Sequence, residues 1–184
     1  MNRRKFIEYS IKTIALASVP AINFFPKVNI SEDEKKLPWS SNTFKFPLEN
    51  FKLQSGETLN NAFLLVNVNG ELNQSKSNAI IFATCFAGSH KFNQMAYGIN
   101  RALNPLKYCI ITPNLFCSGY SSSPSNTSPL QDGPRFPSVT YYDNINAQDK
   151  LISEYFGITN PLMYLGFSMG AQQAFHWGAL HGEK

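Results

Sequence analysis

The sequence predicts an α/β domain built on a mainly parallel sheet, and three observations carry that expectation. Short apolar runs at 78–85, 108–112 and 162–165 alternate with helical stretches, the pattern of strands buried on both faces. Two alternating segments, 44–53 and 62–69, precede them and flank a turn at Ser55-Gly56, which reads as an opening hairpin. The last apolar run enters Gly166-Phe167-Ser168-Met169-Gly170 and a helix follows. That is a G-x-S-x-G nucleophile elbow in the strand–turn–helix setting it requires.

The elements follow in chain order. Residues 1–30 resemble a twin-arginine export leader, Met1-Asn2-Arg3-Arg4-Lys5-Phe6-Ile7 followed by a patchy apolar region from Ile11 to Phe25. Asn2 and Glu8 depart from the usual leader residues, and Lys12 interrupts a stretch too short and polar to span a membrane. The reading is export to the periplasm, against a cytoplasmic amphipathic helix. Residues 31–42, with Ser31-Glu32-Asp33-Glu34-Lys35-Lys36, read as a linker, and 43–184 as the domain. After the hairpin and the strand at 78–85, a helix is expected over 94–103, then the strand at 108–112. A long Ser/Pro/Asn/Gly-rich loop over 113–139 marks a functional or disordered segment. It begins where open α/β sheets place their ligands. Asp143 or Thr140 then caps a helix whose apolar positions are Ile145, Leu151, Ile152, Tyr155 and Phe156, ended by Gly157.

Charge excludes one class of function. The net charge is +4, and residues 1–30 hold five basic groups against Glu8, also +4, leaving 11 basic and 11 acidic residues elsewhere. A basic surface for nucleic acid is therefore not expected. Cys85, Cys109 and Cys117 lack metal-ligand spacing and read as small buried hydrophobes, although export would let two of them pair. No metal or bound cofactor is expected.

The elbow carries the chemistry. A tight bend between Gly166 and Gly170 lifts the Ser168 hydroxyl clear of the sheet, because side chains at either glycine would collide where strand meets helix. The Met169 N–H, at the helix N-terminus, is placed to stabilise the oxyanion formed when Ser168 attacks a carbonyl.

Longer stretches add a resemblance. Gly70-Glu71-Leu72-Asn73 with Ser77-Asn78-Ala79, Pro113-Asn114-Leu115-Phe116 with Gly119 and Ser121 to Thr127, Arg135-Phe136-Pro137-Ser138-Val139-Thr140 with Asp143 and Gln148, and Gly166 to Gln173 together resemble the homoserine O-acetyltransferase family of α/β-hydrolase-fold enzymes. The resemblance covers about 45–184. It departs from the family's Gly-Gly-Ser-Met-Gly-Gly-Met-Gln at Phe167, Ala171 and Gln172, and Thr84 to His90 sits closer to hydrolase relatives. It implies Ser168 as nucleophile, with the backbone N–H groups of Met169 and Phe86 as oxyanion hole, each donor contributing about 2.7–4 kcal/mol in the tetrahedral state. Gly88 lets the Phe86 loop approach closely, and His90 is a pocket-lining candidate. The Phe86 ring itself is compatible with a plain core aromatic. Asp143 and Gln148 read as a cap and helix-surface contacts that brace the long loop.

A base is the missing part. His176 lies eight residues along the helix from Ser168, about 12 Å at 1.5 Å per residue, where a base needs about 3 Å. His181 is farther, and His90 is the sole local alternative. The resemblance implies an acid and a histidine from later strands beyond a lid, so the expectation is an α/β-hydrolase domain that is C-terminally incomplete, with an apolar edge after the elbow strand and little activity alone. Acyl transfer from acetyl-CoA to homoserine or a similar alcohol is the leading expectation. An exported esterase and a non-catalytic remnant are the alternatives. The partners expected are a small-molecule ester or alcohol, and a second copy if the longer parent is a homodimer.

Overall fold

The computed structural model describes residues 37–182; the stretch read as a twin-arginine leader and most of that read as linker lie outside the described residues. Five strands form one sheet in the order β1-β2-β4-β3-β5: β1 (Ser41–Lys52), β2 (Thr58–Asn69), β3 (Ala79–Ala83), β4 (Cys109–Pro113) and β5 (Met163–Gly166). β1 starts two residues inside the stretch read as linker. Just before it the Trp39 indole N–H donates to Asn69 Oδ1 at 3.2 Å, and Gly70 N–H to Ser40 O at 2.8 Å. β2 runs antiparallel to both β1 and β4, whereas β4, β3 and β5 are mutually parallel. Four strands therefore point one way, and the sheet is mainly parallel as expected.

Every residue of β3 and β4 is buried. Alternation along each strand sends Ile81 and Ile111 to one core and Phe82 and Ile110 to the other. This double burial explains why the two runs read as continuous hydrophobic stretches. The larger core packs Phe46, Phe51, Leu64 and Val66 of the hairpin against Ile145, Leu151 and Ile152 of the helix α2 (Tyr141–Lys150, extended by a π turn over Leu151–Tyr155) and against Trp177. Thr140 caps α2 in a reciprocal capping box: its hydroxyl accepts from Asp143 N–H at 3.3 Å, and Asp143 Oδ2 accepts from Thr140 N–H at 2.8 Å. β5, at the end of the sheet, pairs only with β3 and is half exposed.

The helix expected over 94–103 does not form. A single α turn, α1 (His90–Asn93), and a 3-10 turn (Gln94–Ala96) end at Tyr97, which bridges to Leu103. Two asparagines divert the backbone. Asn93 Nδ2 donates to the carbonyls of Phe82 and Ala83 at 3.0 and 3.2 Å, and Asn104 Nδ2 to Ile99 O at 2.6 Å.

The long loop over 113–139 extends the sheet. β2 pairs with β4 only over Val66–Asn69. Beyond that point Ser121 Oγ accepts from Leu65 N–H (3.0 Å) and Ser122 Oγ from Phe63 N–H (2.9 Å), while Asn114 and Ser122 donate their own N–H groups to Leu65 O and Phe63 O. Side-chain hydroxyls thus substitute for ladder partners that would otherwise be missing.

Candidate active site

The bend after β5 is set by backbone crowding. Ala83 and Gly166 are the last registered pair of β3 and β5. Two residues on, Ser168 takes φ 50° and ψ −119°, a conformation that L residues avoid, and the helix α3 (Met169–His181) begins at the next residue. A Cβ on Gly166 would lie 2.3 Å from the Gly170 carbonyl carbon, and one on Gly170 would lie 2.8 Å from Ala83 O. Neither position tolerates a side chain, so the two glycines let strand and helix meet at this angle. Gly170 N–H closes the turn onto Phe167 O at 2.7 Å. Ser168 is exposed, and its hydroxyl caps no N–H of the helix it opens. Met169 is the first helical residue, and its N–H is among the four that a helix leaves without an internal partner.

The loop after β3 stands beside this bend, since β3 and β5 are adjacent and parallel and both loops leave their C-terminal ends. Thr84 is wholly buried. Ala87 has φ 54°, and a Cβ on Gly88 would lie 2.6 Å from Cys85 Sγ, so the turn at 85–88 is tight. The Phe86 side chain is 79% exposed, which rules out the core-aromatic reading. Phe167, 54% exposed, rests edge-on against Phe82 with ring centroids 5.5 Å apart. Two aromatic rings therefore stand open to solvent at the strand ends that carry Ser168 and Phe86.

The three histidines are engaged elsewhere. His90 is buried at the end of the β3–α1 turn; its N–H donates to Asn114 Oδ1 at 3.0 Å, and its Nδ1 lies 3.1 Å from Asn114 Nδ2. Asn114 Oδ1 also lies 3.3 Å from Nδ1, so the Asn114 side-chain amide occupies that ring nitrogen whichever tautomer the ring adopts. Burial pushes its pKa below 6.5; the Asn114 bond opposes the shift and Lys91 adds to it. The ring packs edge-on against Tyr120, at 5.9 Å. His176 lies 6.1 Å from the Tyr141 ring and His181 4.6 Å from the Trp177 ring.

Asp143 caps α2 as expected, whereas Gln148 differs from expectation. Asp143 braces the β1–β2 turn, its Oδ1 accepting from Gln54 N–H at 2.6 Å. Gln148 is wholly buried; it accepts from the Tyr164 hydroxyl, and its Nε2 donates to Gln173 Oε1 at 2.9 Å. Gln173 escaped the sequence reading, although a signal was there: Gly170, Gln173 and Trp177 follow i, i+3, i+7 spacing and are the buried residues of α3. Of the cysteines, all three are free thiols: Cys109 is buried, with its pKa raised by burial to about 12, whereas Cys117 is exposed and does not fit the buried-hydrophobe reading. Among the described residues no group of three His, Cys, Asp or Glu is placed to hold a metal ion, and no helix is long and apolar enough to cross a membrane.

Residues 78–184 match the family described as alpha/beta hydrolase fold. The chain belongs to that family. An ethyl acetate hydrolase of Pseudomonas veronii is 44% identical over 126 residues, covering 68% of this chain and 36% of its own length. A homoserine O-acetyltransferase of Methanosarcina acetivorans is 32% identical over 160 residues, covering 78% and 29%. Among solved structures, an acetylester hydrolase from Corynebacterium glutamicum superposes with a TM-score of 0.73 at 34% identity, covering 77% of this α/β hydrolase and 41% of that chain. The chain thus spans about a third of the length of these curated relatives, and its likeness to homoserine O-acetyltransferases is joined by a likeness to esterases.

Proposed function

We propose that this α/β hydrolase carries the nucleophile-bearing part of a serine enzyme that cleaves small acyl esters. The observation that carries the reading is Ser168, exposed and held at φ 50° between β5 and α3. In this mechanism Ser168 Oγ attacks the ester carbonyl and its proton passes to a base. The N–H groups of Met169 and Phe86 stabilise the oxyanion. The alcohol leaves with a proton, and water then releases the acid from the acyl-serine. The 44% identity to an ethyl acetate hydrolase supports water as acceptor and a short acyl group. Because His90, His176 and His181 are engaged away from Ser168, residues 1–184 by themselves are expected to turn over esters far more slowly than complete relatives.

The 32% identity to a homoserine O-acetyltransferase supports a second reading, in which acetyl-CoA is the donor and an alcohol such as homoserine the acceptor. The Arg3-Arg4 leader, read as an export address, favours the first, since acetyl-CoA is a cytoplasmic metabolite. The deciding experiment measures ethyl acetate hydrolysis, and acetyl-CoA consumption with and without homoserine, on the longest in-frame product of the gene. Hydrolysis without acetyl-CoA consumption is the expected result; homoserine-dependent acetyl-CoA consumption would replace the first reading with the second. A fluorophosphonate should label the parent and leave Ser168→Ala unlabelled, and labelling that survives the substitution would remove Ser168 from the mechanism.

A further inference from the structure

A chain of buried amides ends at the base of the Phe86 loop. Gln173 and Gln148 are both wholly buried, a costly arrangement for two side-chain amides unless each polar atom has a role. Their bonds run in one direction. The Tyr164 hydroxyl of β5 donates to Gln148 Oε1 on α2, Gln148 Nε2 donates to Gln173 Oε1 on α3, and Gln173 Nε2 donates to Thr84 O at 3.0 Å. Thr84 is the first residue past β3 and precedes Phe86 by two. Gly170, one turn before Gln173, abuts the same carbonyl, since a Cβ there would lie 3.3 Å from Thr84 O. The first two turns of α3 therefore hold the root of the loop at the same time as their N-terminus carries Ser168.

We propose that Gln173 is a positioning residue, whose amide fixes the Thr84 carbonyl and so sets the Phe86 N–H at its working distance from Ser168, with Gln148 holding the Gln173 amide in the donating orientation. An amide is suited to this task because it accepts from Gln148 with one end and donates to Thr84 with the other. Apolar side chains of similar length would fill the space but would release the loop. The inference deepens the serine reading above and rests on it for the meaning of the Phe86 N–H, while the loop's tether is measurable without turnover.

The test compares Gln173→Met, the double variant Gln148→Met/Gln173→Met and Tyr164→Phe in the same chain. The double variant removes the buried Gln148 donor that the single change strands and leaves in its place the half-buried Tyr164 hydroxyl without its acceptor, a smaller cost to folding. Amide exchange is read at Gly88, whose N–H closes the loop turn on Cys85 O at 3.0 Å, and at Ile81 inside β3 as reference. Exchange at Gly88 should rise at least tenfold in both Gln173 variants with Ile81 within twofold, and Tyr164→Phe, which leaves the Thr84 bond in place, should leave Gly88 unchanged. An unaltered Gly88 in both Gln173 variants, or equal acceleration of Gly88 and Ile81, would overturn the proposal. Fluorophosphonate labelling of Ser168, measured alongside, should slow about tenfold in the Gln173 variants and stay at the parental rate in Tyr164→Phe. Failure of the longest in-frame product to label counts against the serine mechanism, and the exchange data then decide the tether alone.

Discussion

Serines 121–123 and Ser168 flank the same sheet and have opposite fates. In the long loop each hydroxyl is committed. Ser121 Oγ accepts from Leu65 N–H and donates to Asn114 O at 2.6 Å; Ser123 Oγ accepts from Gly119 N–H at 2.8 Å and donates to Ser121 O at 2.7 Å. All three serines are buried. Ser168 is exposed, sits in a backbone conformation that costs energy, and gives its hydroxyl to no helix N–H. The difference teaches that backbone supply decides a serine's role. Where strands end short of their partners, hydroxyls repair the ladder; at the strained bend the hydroxyl caps no helix N–H and is left over for chemistry.

Four changes break or sharpen this contrast. The largest effect is expected from Gly166→Ala, which drives a methyl group to 2.3 Å from the Gly170 carbonyl carbon and should cost about 3 kcal/mol or more in urea denaturation. Parental stability in that variant would mean that the bend is not closed as described. Ser121→Ala should cost about 1–3 kcal/mol, because it strands the half-buried Leu65 N–H, yet leave fluorophosphonate labelling at the parental rate. A labelling defect there would erase the distinction between the two sets of serines. Ser168→Gly should move the other way, gaining about 1 kcal/mol as the φ 50° strain is relieved, while labelling disappears.

The smallest effect comes from His90, which is held by the long loop through Asn114 and Tyr120. Burial lowers its folded pKa below 6.5, so as pH falls from 6.5 the unfolded chain takes up a proton that the folded ring refuses. Stability should therefore decline from pH 6.5 down to the folded pKa and level off below it. His90→Gln should flatten that part of the stability–pH curve, and an unchanged curve would show that the ring is not shielded.

What the chain declared locally, it declared well. The apolar runs of β3 and β4, the Thr140/Asp143 capping pair, and the two glycines around Ser168 each depend on residues within a few positions of one another, so their meaning is visible in a short window. Tertiary contacts decided the rest. Asn93 and Asn104 turned an expected helix into a pair of turns: Asn93 ties its segment to the β3 carbonyls of Phe82 and Ala83, and Asn104 captures Ile99 O, a carbonyl that the helix would have used. Gln148 moved from a helix surface to the centre of a buried relay, because its partners Tyr164 and Gln173 lie 16 and 25 residues away. Gln173 reaches Thr84 across 89 residues. A polar side chain's value depends on which donor or acceptor the fold brings to it, and that pairing exists only once distant segments have packed together.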